Sequence, residues 1–392
     1  MKRALGWGLL ALTLLAGCVP DQSAQTSRST GAQCLPKPAF QAPALNTCAG
    51  SERVKLTIVG DVLLHWPIQQ SGYKFGFRAM WAQAQPFLEW GDLTIGNLEG
   101  PVAPGVNQAG QRVGDPGPVY GTGVYTGYPM FNYHPKILKA LKVSGFDLLT
   151  TANNHAMDRG SLGADLTLRE ITKAGIGAVG TIRAGTARKF AVRRGTTLGT
   201  VSFIGCSFST NGNADPKRQV LLCYENRREL LSLVRREAAD PNVAAVIVLP
   251  HWGQEYSSTP DARQVALARD LAAAGAAAIV GTHPHAVQPI RLLNTGRGQV
   301  VPVVYSTGNF IAMQTDMPAR VGAMALLEIC KAPSGKGLVV DRLGWVAEQM
   351  IFTPTAYWMD IAPVGTSGER GLPYRHLSKI AAGFSAQPQA CQ

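Results

Sequence analysis

No Cys-x-x-Cys occurs anywhere in the 392 residues, which sets aside zinc ribbons and thioredoxin-type redox sites. There is no long Lys/Arg run and no recognisable nucleic-acid module. Nucleic acid is therefore not an expected partner, even at a formal net charge of +12. The apolar run Ala4–Leu15 is too short to span a bilayer well. Charged residues are sparse at 16%, against 46% hydrophobic ones, a balance that fits a globular protein and argues against wholesale disorder. Acidic residues are the minority, 25 against 37 Lys and Arg, so the surface favours anionic partners such as acidic polymers, phosphates or lipid headgroups.

The N-terminus reads as an address rather than as structure. Lys2 and Arg3 precede the apolar run, and Leu15-Ala16-Gly17-Cys18 closes it. An ordinary signal peptide would share the first two features. The cysteine directly after small residues instead resembles a bacterial lipobox, in which Cys18 becomes the lipidated first residue. Residues 1–18 are thus expected to be a lipoprotein leader. Residues 19–50, rich in Ser, Gln, Pro and Ala, are expected to tether a domain to a membrane. The protein should then sit on the periplasmic or extracytoplasmic face, where disulfides are permitted. Pairing sequence neighbours would join Cys34 to Cys48 and Cys206 to Cys223.

Residues 51–330 alternate strand and helix signals, which predicts a layered α/β fold. Apolar runs at Val54–Val59, Leu93–Ile95, Phe146–Leu149, Gly177–Val179, Leu198–Cys206, Val243–Leu249, Ala276–Val280 and Val301–Tyr305 read as strands. Helical periodicity covers Phe77–Trp90, His134–Ser144, Leu162–Ala174, Asn226–Ala239 and Asp261–Ala274, with Gly145, Gly175 and Gly275 as stop signals. The Gly- and Pro-rich stretch Gly100–Met130 reads as a long loop, either a surface excursion or a substrate groove lined by Tyr120, Tyr125 and Tyr128. Residues 331–392 read as a C-terminal extension that closes the domain with antiparallel strands.

Polar residues gather where the strands end, the usual ligand-binding edge of an α/β sheet. They are Asp61 with His65, Asn97 and Glu99, Asn154 and His155, His251, and His283 with His285. Five of the seven histidines fall on these turns. Any one of these residues alone would read as a turn former or a core histidine. Together, carboxylate, amide oxygen and imidazole are suitable ligands for one or two divalent metal ions: manganese, zinc, iron or magnesium.

The segments Gly60-Asp61-Val62, Asn97-Leu98-Glu99, Ala152–Asp158, His251-Trp252-Gly253, Gly281–His285 and Tyr305–Phe310 occur in the order seen in the capsule-synthesis CapA family. The chain resembles that family over about residues 52–315. CapA proteins are associated with poly-γ-glutamate biosynthesis and are similar in fold to calcineurin-like metallophosphoesterases. The resemblance implies an αββα sandwich, two mixed sheets flanked by helices, with metal at the strand ends. At matching positions it implies that Asp61, Asn154, His251, His283 and His285 are metal ligands. Glu99 stands where the phosphoesterases place a bridging Asp, and His155 where they place a histidine near the leaving group. His251 and Glu255 are further acid–base candidates, and Asn153, Asp158 and Asn309 candidate substrate contacts. Two departures stand out. Leu63 occupies the position of a usual histidine, and the second motif lacks Gly-Asp-x-x-Asp.

Two functions follow as expectations. One is a metal-dependent hydrolase or transferase acting on an anionic envelope polymer or a phosphoester. The other is a non-catalytic subunit that holds such a polymer beside capsule synthase partners.

Overall fold

The computed structural model describes residues 38–296, 298–353, 357–361 and 371–387. In chain order the elements are β1 (Val54–Val62), α1 (Trp66–Phe75), a 3-10 segment (Arg78–Ala84), α2 (Gln85–Leu88), β2 (Leu93–Leu98), α3 (Lys136–Val143), β3 (Phe146–Thr150), α4 (Gly160–Lys173) and β4 (Gly177–Val179). A second run follows: β5 (Ala191–Thr196), β6 (Gly199–Ser207), α5 (Arg227–Ala239), β7 (Ala245–His251), α6 (Ala262–Ala274), β8 (Ala278–Val280), β9 (Ile290–Asn294) and β10 (Val300–Val304). The chain closes with β11 (Asn309–Ile311), α7 (Met317–Arg320), β12 (Val321–Lys331), β13 (Leu338–Phe352), β14 (Tyr357–Ile361) and α8 (Leu372–Ile380).

These strands form two mixed sheets. One runs β14-β13-β12-β1-β2-β3-β4, with β11 parallel to the end of β1; the other runs β5-β6-β7-β8-β10-β9. Residues such as Leu56, Ile58, Ile95, Phe203, Ile247 and Trp345 fill the layer between them. A second apolar layer, including Trp81, Phe87, Leu138 and Phe146, lies under α1 to α4. A third, with Leu230, Val234, Leu267 and Leu271, lies under α5 and α6. Strands buried on both faces must be apolar throughout, which is why β1, β7 and β10 stand out as continuous runs.

The expected helix over Phe77–Trp90 is instead a 3-10 segment followed by the short α2. Trp81 leaves helical geometry (φ −125°, ψ 27°). Pro86 falls in the first turn of α2, where a missing N–H is harmless. α1, β5, β9 and β11 were not expected from periodicity. The Gly100–Met130 stretch is no loose excursion, since Val102, Ala103, Val106, Val124 and Tyr125 are buried in it.

Two expected boundaries need correction. β12 and β13 are paired antiparallel from Val321↔Gln349 to Lys331↔Leu338, so a division at residue 330 would cut one hairpin. The described part of 331–392 is integral to the main sheet. Residues 38–50, expected in the tether, lie against that same part. Ala39 N donates to Ala386 O at 3.1 Å, and Leu45 N to Asp341 O at 2.7 Å. Cys48 bonds to Cys330 rather than to Cys34, because Ala49 N donates to Lys331 O and brings the two strand ends together. The expected Cys206–Cys223 disulfide is present. Cys18, Cys34, Cys391, the leader and the rest of the tether lie outside the described residues.

Gly60 is required by a close approach of β1 and β11. A Cβ there would stand 2.0 Å from Gly308 O, inside van der Waals contact. The same two strands carry Asp61 and Asn309 side by side.

Glu348 in β13 is a buried carboxyl whose two oxygens find no hydrogen-bond partner. Burial pushes its pKa well above the ordinary value, so it folds protonated. The unfolded chain releases that proton near pH 4.5, and the folded chain does so only at higher pH. Stability is therefore fully present below the unfolded pKa and is lost as pH rises toward the folded pKa, at about 1.4 kcal/mol per pH unit. Glu348→Gln removes this loss. The melting temperature of the variant relative to the wild type should rise as the pH is raised above the unfolded-state pKa. Equal pH slopes in melts of the two proteins would contradict it.

Candidate metal centre

β1, β2, β3, β7 and β8 run parallel within their sheets, so their C-terminal ends deliver side chains to one edge. Asp61, Glu99, Asn154, His251, His283 and His285 are all buried there. Two groups of ligand atoms lie close enough to surround an ion: Asp61, Glu99 and His251, and Glu99, His283 and His285. Glu99 belongs to both. Its Oε1 lies 3.6 Å from His251 Nε2 and 3.8 Å from His285 Nε2.

The surrounding bonds aim these groups. His251 Nδ1 is 2.9 Å from Thr282 Oγ1 and 3.2 Å from Asn97 Nδ2, while its Nε2 faces Asn154 Oδ1 at 2.9 Å. His285 Nδ1 lies 3.0 Å from Asn309 Oδ1 and 3.2 Å from Asp61 Oδ2. Asp61 Oδ1 accepts from Asn97 Nδ2 at 2.7 Å. Partners of this kind fix ring orientation around metal sites. His283 and His285 adopt φ of +100° and +55°, conformations that non-glycine residues rarely hold outside functional turns.

The electrostatics are those of a crowded, dry site. Burial alone would raise the Glu99 pKa, but the His285 and His251 imidazoles outweigh it and hold Glu99 below the usual range. Burial would lower His285, yet the Glu99 and Asp61 carboxylates raise it to about 9. Burial, with His251 and His285 adding to it, pushes His283 well below its ordinary value. Neither Glu99 oxygen has a hydrogen-bond partner, and His283 Nδ1 and Asn154 Nδ2 also lack one. Leaving such groups unpaired in a protein interior is costly, and a bound divalent cation would satisfy the carboxylate and imidazole atoms among them. The donor set fits the cation that the sequence implied.

Beside this cluster, His155 Nδ1 is 2.8 Å from Asp158 Oδ2. Burial opposes protonation of His155, but Asp158 raises its pKa above the ordinary value. Its ring meets the Phe131 ring edge-on at 4.7 Å. The loop after β6, tied across its base by Cys206–Cys223, reaches over the site. Phe208 packs 4.2 Å from the His283 ring, Asn213 Nδ2 donates to Asp158 Oδ1 at 3.2 Å, and Asn211 Nδ2 lies 3.5 Å from His155 Nε2.

The model of the family described as "Bacterial capsule synthesis protein PGA_cap" matches residues 55–314, which span all of these ligand groups. The chain belongs to the PGA_cap family. It is 29% identical over 295 residues to the PGA biosynthesis protein CapA of Bacillus subtilis, covering 71% of this chain and 69% of that one. It is 29% identical over 275 residues to the capsule biosynthesis protein CapA of Bacillus anthracis, covering 67% and 60%. Among solved structures, Haemophilus influenzae NAD nucleotidase is similar at 12% identity and a TM-score of 0.44, covering 85% of this chain and 57% of that one. The PGA_cap fold is metallophosphoesterase-like, and this chain has the matching two mixed sheets flanked by helices; the family ties the chain to capsule and poly-γ-glutamate biosynthesis.

Within this PGA_cap domain some expected roles shift. Asn153 is turned inward, donating to Leu98 O at 2.7 Å and to Asn97 Oδ1 at 3.2 Å. Asn309 donates to Ala319 O at 2.8 Å and supports His285. Asp158 is buried against His155 and accepts from Phe131 N at 2.7 Å. All three spend hydrogen bonds on positioning the site, and Asn153 Oδ1 is left without a partner. Glu255 is exposed and lies outside both ligand groups, though its charge acts on His285. His65 sits at the edge, its Nδ1 accepting from Met313 N at 3.2 Å, with burial lowering its pKa to about 4. Thr282, Phe208, Asn211 and Asn213 were not expected as site residues. The last three lie on a polar loop that carries no motif.

Proposed function

We propose that this chain is a metal-dependent hydrolase or transferase acting on an anionic capsule or cell-envelope polymer. The observation that carries the reading is Glu99, a buried carboxylate with neither oxygen hydrogen-bonded and shared by two three-residue ligand groups. Asp61, Glu99, Asn154, His251, His283 and His285 would hold one or two divalent cations. A divalent cation bound there supplies charge to offset a developing anion and lowers the pKa of water. The chain's own residues supply the rest. Asp158 holds His155 Nδ1, so Nε2, which lies 3.5 Å from Asn211 Nδ2, would be the atom that passes a proton to a leaving group. Phe208 covers the His283 side and limits water.

A second reading, a polymer-holding subunit without turnover, is favoured by Asn97. It stands in the second motif, which lacks the usual pair of acids, and spends its amide on Asp61 and His251. The two readings separate in one assay. A hydrolase cleaves a generic phosphodiester or poly-γ-glutamate, and chelation abolishes the cleavage. A holding subunit binds the polymer in a salt-sensitive way and releases no product. Binding without product at any divalent metal tested would overturn the enzymatic reading.

Cys18 would anchor the chain to a membrane, with capsule synthase subunits as neighbours. Among the described residues no helix is long and apolar enough to cross a bilayer. An unmodified mature N-terminus elsewhere, found by mass spectrometry of the exported protein, would contradict the anchor.

A further inference from the structure

The helical layer over the larger sheet carries an unusual combination of side chains. Phe75, at the end of α1, is 70% exposed, and Val143, at the end of α3, is 53% exposed. Lysines surround them. Lys74 Nζ lies 4.9 Å from the Phe75 ring centre. Lys136 Nζ donates to Tyr73 O at 2.5 Å, which ties the start of α3 to the end of α1. Lys139, Lys142, Val143 and Lys173 line one open groove of about 380 Å³ along α3 and α4. Acidic residues there are few. Glu170 sits 3.0 Å from Lys173, and Asp147 is 4.0 Å from Lys142. Among the described residues, Lys74, Lys136 and Lys139 form no ion pair within that range.

The helical layer over the other sheet is basic in a different way. Some of its arginines are tied to carboxylates, Arg188 to Glu229 at 2.7 Å, Arg193 to Glu237 at 2.8 Å and to Asp240 at 2.6 Å, and Arg227 to Asp270, whereas Arg228, Arg235 and Arg236 of α5 form no ion pair among the described residues. No large apolar side chain of α5 or α6 is exposed among the described residues. Unpaired lysines and protruding apolar side chains therefore coincide on the α1/α3 face.

We propose that the α1/α3 face docks on a lipid surface with anionic headgroups. The lysines supply attraction to the headgroups, and Phe75 and Val143 enter the boundary between headgroups and acyl chains. Charge alone would serve an acidic polymer equally well. The exposed phenyl and isopropyl groups decide for the lipid, because a fully hydrated polyanion offers no apolar phase to receive them.

The test is vesicle co-sedimentation of the full chain carrying Cys18→Ser, so that no acyl chain contributes. Vesicles are either pure phosphatidylcholine or phosphatidylcholine with about one-quarter phosphatidylglycerol. The leader is common to all samples and cancels between variants. Binding should favour the anionic vesicles and weaken with salt. Each lysine at such a surface is worth about five-fold in partitioning, so Lys139→Gln with Lys142→Gln should lower it about 25-fold. Phe75→Ala should lower it further, while Arg228→Gln with Arg235→Gln on α5 should leave it unchanged. All these side chains are exposed, so melting temperatures should not move. Partitioning unaffected by the lysine pair, or lowered as much by the α5 pair, overturns the proposal. So does binding of soluble poly-γ-glutamate that the lysine pair abolishes while vesicles fail to bind.

Discussion

Glu99→Gln should empty the centre of metal. Glu99 is the one side chain common to both ligand groups, and the change removes its charge without altering its size. After dialysis, the variant should keep less than about one-tenth of the wild-type metal, since losing a direct ligand costs more than the roughly 10–100-fold typical of supporting residues. Stability should report the same event. A cation held by the folded chain and absent from the unfolded one stabilises by about 4 kcal/mol at roughly a thousand-fold excess over its Kd. Chelator should therefore lower the wild-type melting temperature and leave that of Glu99→Gln unmoved. A chelator shift of equal size in both proteins would mean that Glu99 is not a ligand.

His155→Gln should separate chemistry from architecture. His155 and Asn154 are neighbours on one loop, yet they face different partners. Asn154 Oδ1 meets His251 Nε2 within the cluster, whereas His155 Nδ1 meets Asp158 outside it. His155→Gln should keep its metal and slow turnover by about 10²–10⁴-fold if the imidazole is a general acid. Asn154→Asp should instead change metal affinity, because it alters the charge of a ligand. Metal content and phosphodiester hydrolysis measured on both variants decide the matter. Loss of metal from a folded His155→Gln protein would show that the two roles are reversed. Unchanged polymer binding with no hydrolysis in the wild type would favour the holding subunit.

The ligand groups were legible in the sequence because parallel strands buried on both faces must be apolar. A polar cluster at the end of such a run interrupts that requirement where ligands bind, and Asp61, Glu99, His251, His283 and His285 all sit at such ends. What the side chains do once there was less legible. Asn153, Asp158 and Asn309 fall in the same motifs as the ligand candidates, and only their hydrogen bonds show that they brace the site. Phe208, Asn211 and Asn213 arrive by tertiary folding of a loop that has no periodicity. β5 was missed because Ala-Val-Arg-Arg-Gly-Thr is a half-exposed edge strand. The Cys48–Cys330 bond spans 282 residues, and no local rule finds a contact of that range.

Glu99 would join two cation sites in one buried centre. Elemental analysis of the wild-type protein purified without chelator, beside Glu99→Gln, tests it most directly. Up to two divalent cations per chain are expected in the wild type and nearly none in the variant. A wild-type protein that binds no divalent cation on titration, or a Glu99→Gln variant that retains the full complement, would contradict it.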